Sequence, residues 1–165
     1  MIVGIISDIH DRLPYLKKAV TRLNEKKVEL VLCAGDYVAP FVTPYFKVLK
    51  AKMIGVFGNN DAERQTLKKR FSEMGFDVHG IFRRLEIDGL QAALLHGDES
   101  DLLKSVIDLS EFNVVVYGHT HKAEIRWRGE KLIINPGEVC GYLSERSTIA
   151  VLDTRSMEAQ IIELT

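Results

Sequence analysis

The sequence predicts an α/β fold in which two mixed β-sheets pack face to face with helices outside, an αββα sandwich. In the first half of the chain, short apolar runs alternate with amphipathic helical patterns, as in parallel strands joined by helical crossovers. In the second half, turn signals such as Asp88-Gly89 separate strand patterns directly, which indicates hairpins. No linker-like segment divides the 165 residues, so we expect a single domain over residues 1–165.

The predicted elements follow from the period of the apolar residues. Short apolar runs rich in β-branched residues predict strands, and apolar residues three and four apart predict helices. The strand pattern occurs over residues 2–6, 30–34, 53–57, 78–87, 90–95, 114–117, 124–128, 131–135, 147–153 and 159–164. The helical pattern occurs over residues 14–26, 41–50, 62–74 and 102–109. The second half is therefore expected to be mostly antiparallel, although the pattern does not fix which strands pair.

The composition excludes several classes of protein. With 22 Lys and Arg against 23 Asp and Glu, the net charge of −1 argues against binding of nucleic acid or anionic membranes by bulk charge. Two cysteines, Cys33 and Cys140, are too few for a disulfide framework, which favours a reducing compartment. The N-terminal residues lack the features of a signal peptide, and no apolar run reaches the ~18 residues of a membrane-spanning helix. We therefore expect a cytoplasmic protein that does not bind membranes.

Five of the predicted strands end in side chains that can bind a metal ion. These side chains are Asp8 and His10, then Asp36, then Asn59, then His96, and finally His119 with His121. Because the carboxyl ends of strands form the ligand crevice of α/β sheets, they can converge although they are distant in sequence. In two of these groups, Asp8 with His10 and His119 with His121, the metal-capable residues are two positions apart. Their side chains would therefore lie on the same side of an extended segment.

The donor set indicates the class of metal. Two carboxylates, one amide oxygen and four imidazoles suit Mn²⁺, Fe²⁺, Ni²⁺, Co²⁺ or Zn²⁺, and the lack of thiolate argues against a structural zinc site. Seven donors suffice for two ions if one carboxylate is shared. Any one of these residues alone would more often be a turn former or helix cap. However, four of the five histidines fall within this set, which favours a common function.

The order of these motifs resembles the signature of the calcineurin-like metallophosphoesterases. The motifs are Asp8-Ile9-His10, Gly35-Asp36, Gly58-Asn59-Asn60-Asp61, a separate His96 and Gly118-His119-Thr120-His121. The short chain and Asn135-Pro136-Gly137 resemble the small single-domain phosphodiesterases of archaea and bacteria. The resemblance implies the two-sheet αββα sandwich of that family. It also implies two divalent ions, the first held by Asp8, His10, Asp36 and His121. The second would be held by Asp36, Asn59, His96 and His119.

The implied activity is hydrolysis of phosphodiesters by a water or hydroxide that the two ions activate. The expected partner is a small-molecule phosphodiester substrate, and a homo-oligomer is possible. Mn²⁺ is the first choice of metal, with Ni²⁺, Fe²⁺, Co²⁺ or Zn²⁺ as alternatives.

Asn60 departs from the family pattern, which often has a histidine at this position. An amide can donate a hydrogen bond but cannot release a proton near neutral pH. Since general acid catalysis contributes ~10²–10⁴-fold, we expect a preference for activated aryl esters. Asn60 and Asp61 are the candidate catalytic residues, with Asp61 expected either to orient Asn60 or to cap the next helix.

The resemblance extends to a different class of protein. A retromer subunit of eukaryotes has this fold and acts by binding other proteins, and residues 121–142 resemble it too. The alternative function is therefore a weakly active or inactive scaffold. A scaffold has no need of a complete ligand set, and all seven positions here carry competent residues, which favours the enzyme.

Overall fold

The computed structural model describes residues 1–164, which form strands, three α-helices and one 3₁₀ helix. The strands are β1 (Ile2–Ile6), β2 (Leu30–Cys33), β3 (Lys52–Gly55), β4 (Asp77–Val78), β5 (Phe82–Ile87), β6 (Leu90–Leu95), β7 (Val114–Val116), β8 (Ala123–Arg128), β9 (Lys131–Pro136), β10 (Thr148–Asp153) and β11 (Glu158–Glu163). The α-helices are α1 (Leu13–Glu25), α2 (Arg64–Glu73) and α3 (Ser100–Asp108), and the 3₁₀ helix is Pro40–Val48.

The strands form two mixed sheets, which confirms the predicted αββα sandwich. The first sheet has the order β11-β10-β1-β2-β3-β4, and the second has the order β5-β6-β7-β9-β8. Apolar side chains of both sheets, such as Ile5 and Leu94, form the core between them. The helices α1 and α2 and the 3₁₀ helix cover the outside of the first sheet, and α3 covers the second. Within residues 1–164, no helix is long and apolar enough to span a membrane.

The predicted strand over residues 78–87 is wrong as a single element. The chain turns at Gly80, whose φ of +69° lies in the left-handed region that favours glycine. As a result, β4 ends the first sheet and β5 begins the second. The strand pattern could not show this break because both halves are equally rich in β-forming residues.

The prediction of a mostly antiparallel second half is also wrong in part. Strands β6, β7 and β9 pair in parallel, since α3 and the β8 hairpin carry the chain back to the same end. The last two strands are antiparallel as expected, but they join the first sheet, where β10 pairs with β1. The helix expected over residues 41–50 is a 3₁₀ helix with Pro44 inside it. Proline lacks the N–H that an α-helix needs at that position.

The topology brings the predicted ligand loops to one edge of the sandwich. Strands β1, β2 and β3 are parallel, so their carboxyl ends lie side by side in the first sheet. The carboxyl ends of β6 and β7 lie side by side in the second sheet. The backbone N–H of His119 donates to Oδ2 of Asp8 at 3.0 Å, which joins a loop of one sheet to a loop of the other.

Candidate metal centre

The predicted ligands lie on strained backbone just beyond their strands. Five of the seven have φ between 43° and 64°, in the left-handed region that non-glycine residues seldom adopt. These five are Asp8, His10, Asp36, His119 and His121. The two paired motifs are therefore not extended, contrary to the expectation from their spacing. Such strain costs roughly 1–3 kcal/mol per residue and is typical of functional sites, where it turns side chains towards one point.

Two glycines allow the loops to approach each other closely. A Cβ atom on Gly58 would collide with the carboxylate of Asp36 and the ring of His96. A Cβ atom on Gly118 would collide with Ser7 and the carboxylate of Asp8. Any larger residue at either glycine would therefore occupy the space between the candidate ligands.

Asp36 lies at the middle of the cluster. Its Oδ2 atom is 3.3 Å from Nε2 of His10 and 3.3 Å from Nε2 of His96. Asn60 binds the same carboxylate twice, through its backbone N–H at 2.9 Å and its side-chain amide at 2.8 Å. Burial would raise the pKa of Asp36, but the two imidazoles and the amide of Asn60 hold it well below its usual value. The side chain is therefore a carboxylate at neutral pH.

His96 and Asn59 lie together on one side of Asp36. The Nδ1–H group of His96 donates to the carbonyl oxygen of Ala34 at 2.7 Å, which fixes the tautomer because a carbonyl only accepts. Nε2 of His96 therefore faces the cluster, 3.0 Å from Oδ1 of Asn59. The ring of His119 is 5.1 Å from that of His96, centroid to centroid.

Asp8, His10 and His121 lie on the other side. Nε2 of His121 is 3.3 Å from Oδ1 of Asp8, and the rings of His10 and His121 are 5.1 Å apart. Burial alone would lower the pKa of His10, but the carboxylates of Asp36 and Asp8 more than offset it and raise the pKa to about 10. One possible donor atom from each of Asp8, His10 and Asp36 lies within 4.8 Å of the other two.

The buried atoms of this cluster fit a cation. Within residues 1–164, Oδ1 of Asp8 and Nε2 of His10 are buried and have no hydrogen-bond partner. A buried polar atom left unpaired costs about 1–3 kcal/mol. A divalent cation between them would satisfy both atoms, and oxygen with imidazole nitrogen is the donor mixture that such ions accept.

Glu138 is a residue of the site that the sequence analysis missed. It is fully buried, and Oε2 lies 2.6 Å from Nδ1 of His121. It also accepts hydrogen bonds from Sγ of Cys140 and from the backbone N–H groups of residues 142–144. Burial would raise the pKa of Glu138, but these donors lower it to about 2. The one signal in the sequence was its place directly after the Asn135-Pro136-Gly137 turn.

Cys140 lies at the edge of the same cluster. Its Sγ atom and the ring nitrogens of His10 and His121 form a second group of possible donors within 4.8 Å. Burial and the neighbouring Glu138 carboxylate raise the pKa of the Cys140 thiol well above its usual value. The thiol therefore stays protonated and donates to Glu138.

Asn60 and Asp61 have different surroundings. Asn60 is exposed, and its side-chain amide donates to Asp36. Asp61 is buried, and its carboxylate accepts hydrogen bonds from the backbone N–H groups of Asp36, Val38 and Gly58. Within residues 1–164, Asp61 makes no hydrogen bond to the Asn60 side chain. It does not cap α2 either, since that helix has no side-chain cap. Asp61 instead joins the loops that carry Asp36 and Asn59.

Comparisons with known proteins identify the family. A family model, described as the calcineurin-like phosphoesterase superfamily domain, matches residues 1–157. The chain belongs to this superfamily. It is 40% identical over 165 residues to Phosphodiesterase MJ0936 of Methanocaldococcus jannaschii, covering 99% of each chain. Among solved structures, it superposes on a novel archaeal phosphodiesterase with a TM-score of 0.95 and 40% identity, covering 99% of this chain and 100% of the other.

Vps29 proteins are also represented among solved structures of this fold. Vps29 of Chaetomium thermophilum superposes with a TM-score of 0.71 and 16% identity, covering 99% of this chain and 94% of that chain. At this identity the likeness concerns the fold alone. Because a fold alone does not determine function, the site residues have to distinguish an enzyme from a scaffold.

Proposed function

We propose that this member of the superfamily hydrolyses phosphodiesters at a centre that holds two divalent metal ions. One observation carries the proposal. A single oxygen of Asp36 lies 3.3 Å from a histidine of each predicted ligand set, His10 on one side and His96 on the other. A carboxylate between two such sets is the arrangement that two neighbouring cations require, because its negative charge offsets their repulsion.

Each ion would have its own ligands and share Asp36. The first would be held by Asp8, His10, Asp36 and His121, and the second by Asp36, Asn59, His96 and His119. When bound, divalent ions act as Lewis acids, which acidify water and offset charge that develops on phosphoryl oxygens. We propose Mn²⁺ as the first candidate, with Ni²⁺, Fe²⁺, Co²⁺ or Zn²⁺ as alternatives, because the donors are nitrogen and oxygen.

Residues of the chain hold the ligands in place. The backbone carbonyl of Ala34 fixes the orientation of His96, and the carboxylate of Glu138 fixes that of His121. Asn60 fixes the carboxylate of Asp36. Because the Asn60 amide cannot release a proton, a leaving alkoxide receives none from this residue. We therefore propose aryl phosphodiesters as better substrates than alkyl phosphomonoesters.

Support for an enzyme over a scaffold comes from the same cluster. Five of the candidate ligands have positive φ values, at roughly 1–3 kcal/mol each, and such strain is typical of sites that carry out chemistry. The buried, unpaired atoms of Asp8 and His10 also fit a bound cation, which the proposed hydrolysis requires. The 40% sequence identity to a protein named as a phosphodiesterase, over almost the whole chain, also supports an enzymatic function.

The decisive experiment is hydrolysis of bis-p-nitrophenyl phosphate with added Mn²⁺ or Ni²⁺. We expect Asp36→Ala and His96→Ala to abolish the activity and EDTA to suppress it. The matched control is His79→Ala, which removes the one histidine outside the cluster and should keep full activity. Metal analysis of the loaded protein should give two ions per chain. Activity that survives Asp36→Ala would come from a contaminant and would refute the proposal.

A further inference from the structure

Helix α3 covers the outer face of the second sheet only in part. It connects β6 to β7 and packs on side chains of the inner strands of that sheet. Those side chains are Ala93, Leu95, Val115, Tyr117 and Ile133. The strand β8 lies at the edge of the sheet, next to β9, and is not among them. A cleft therefore runs between α3 and the outer face of β8.

This cleft leads to the candidate metal centre. It has a volume of about 460 Å³, and one end is formed by Gly97, His119 and Thr120. Gly97 follows the candidate ligand His96, and His119 is itself a candidate ligand. A substrate bound through its phosphate at the metal centre would therefore have its next group at the mouth of the cleft.

The wall formed by α3 is largely apolar. Leu103 and Ile107 lie one helical turn apart and both line the cleft. Leu103 is half-buried and offers aliphatic surface against which a planar ring can pack, whereas Ile107 is buried and adds only the edge of its side chain. Lys104 lies beside them on the same helix, and it has no ion-pair partner among residues 1–164.

The wall formed by β8 is cationic. Arg126 and Arg128 are two residues apart on the strand, so both point to the outer face. Arg126 pairs with Glu124 at 3.1 Å and Arg128 with Asp108 at 2.6 Å. The two arginine side chains are 41% and 55% exposed, and ion pairs at such exposure contribute only ~0–1 kcal/mol. An anionic ligand can therefore compete with these carboxylates for the guanidinium groups, against the charge of Asp98, which also lines the cleft.

We propose that this cleft binds the part of the substrate beyond the scissile phosphate, and that this part carries a planar ring and a second phosphate. The ring would pack on Leu103 and Ile107. The second phosphate would bind Lys104 and Arg126, since guanidinium and ammonium groups are the usual partners of phosphate. The inference rests on the proposed function and narrows its substrate to phosphodiesters of the nucleoside bisphosphate type.

Two matched substrates test the inference. They are thymidine 5′-(p-nitrophenyl phosphate) and its 3′-phosphorylated derivative, which share the scissile bond and the leaving group. With Mn²⁺ bound, we expect kcat/KM to be roughly tenfold higher for the 3′-phosphorylated ester, mostly through KM, as for one added charge-assisted contact. Equal kcat/KM values for the two esters would refute the proposed role of the cleft. If bis-p-nitrophenyl phosphate were still hydrolysed, the proposed function would be unaffected.

Variants then locate the contact. In Lys104→Ala combined with Arg126→Gln, the preference for the 3′-phosphorylated ester should fall to about twofold or less. The control is Lys69→Ala, an exposed lysine of α2 away from the cleft, which should keep the wild-type preference. A preference that survives the double variant would refute the assignment to this cleft.

A binding measurement separates the two proposals. By calorimetry with the Mn²⁺-loaded protein, thymidine 3′,5′-bisphosphate should bind roughly tenfold more tightly than thymidine 5′-monophosphate, and the double variant should remove the difference. If none of the esters is hydrolysed, the proposed function is refuted, and the comparison of the two nucleotide affinities alone tests whether the cleft binds a second phosphate. Equal binding of the two nucleotides would then refute it.

Discussion

Oε2 of Glu138 lies 2.6 Å from Nδ1 of His121, and both side chains are buried. A carboxylate at this distance fixes the tautomer and the ring orientation of a histidine, and it increases the basicity of the opposite nitrogen. Nε2 of His121 consequently faces Asp8. Glu138 is thus a positioning residue for a candidate ligand, although it is 17 residues away in sequence.

Replacing Glu138 tests this relationship. We expect Glu138→Gln to weaken binding of Mn²⁺ about 10–100-fold, since the negative charge behind His121 is lost. Calorimetric titration of metal into the folded variant measures the effect, with circular dichroism as the check of folding. Glu130→Gln, in the exposed β8–β9 turn, is the matched control. Unchanged affinity in Glu138→Gln would show that His121 does not need the carboxylate.

The proposed role of Asn60 is to limit which leaving groups the enzyme tolerates. Asn60→His should accelerate hydrolysis of phosphodiesters with poor leaving groups by up to ~10²-fold and change good ones little, because imidazole can supply a proton. Rates across a series of substituted phenyl esters give the Brønsted slope, which should be shallower in the variant. Asn60→Ala shows how much of any change comes from losing the side-chain hydrogen bond to Asp36, since the backbone N–H of residue 60 still donates to that carboxylate. Overlapping slopes for wild type and Asn60→His would contradict the idea.

Asp61 joins the ligand loops through three backbone N–H groups. Asp61→Asn replaces one acceptor oxygen by an NH₂ group, which leaves a buried N–H unpaired. We expect the free energy of unfolding to fall by about 1–3 kcal/mol. Urea denaturation measures the change, and Glu63→Gln at the exposed start of α2 should show almost none. A loss of activity without any loss of stability would instead assign Asp61 a direct catalytic role.

Metal binding should stabilise the fold. The buried, unpaired atoms of Asp8 and His10 gain a partner when an ion binds. At a free metal concentration of 100 Kd, each site adds about 2.7 kcal/mol. For a chain of this size, that corresponds to a rise in Tm of roughly 5–10 °C per site. Thermal unfolding with and without Mn²⁺ measures the shift, EDTA should reverse it, and Asp36→Ala should lack it. A Tm insensitive to metal in the wild type would argue against the site.

An exposed cluster predicts one feature of acid unfolding. Asp77 of β4 binds His79 and Arg83, both at 2.8 Å, where the chain passes between the two sheets. The Arg83 guanidinium lowers the pKa of Asp77. A lowered pKa contributes stability that is present above the unfolded-state pKa and is lost as pH falls through the folded-state pKa. Asp77→Asn should therefore cost ~0.5 kcal/mol at pH 7, and the difference should vanish in acid. Urea denaturation over a pH series measures it; a difference that grows in acid would contradict this account.

The convergence of the candidate ligands was predictable because each lies one to five residues beyond the end of its strand. An apolar run followed by Asp36 or His96 can be recognised from the local sequence alone. The alternation of strands and helices predicts parallel strands, whose carboxyl ends lie together. The bounds of β1 were also predictable, since a short apolar run that ends at Ser7 and Asp8 leaves little choice. The family resemblance added the assignment of the donors to two ions.

The other features depend on contacts between distant residues. Nothing near Glu138 in the sequence indicates that it faces His121, because the contact depends on how the loop after β9 folds back. Nothing near Thr148 indicates that β10 pairs with β1 rather than with the second sheet, since an antiparallel partner is chosen by burial. The positive φ values at the ligands also follow from tertiary packing, which overrides the preference of Asp and His for other backbone angles.

The pairing of β10 with β1 has a consequence for how the protein is made. The strand that precedes the first two candidate ligands leaves the ribosome long before β10, its second neighbour in the sheet. Until then, one edge of β1 stays open and can pair with other chains. We therefore expect the centre to form only after β10 has been synthesised, and chains that stop before β10 should aggregate rather than bind metal.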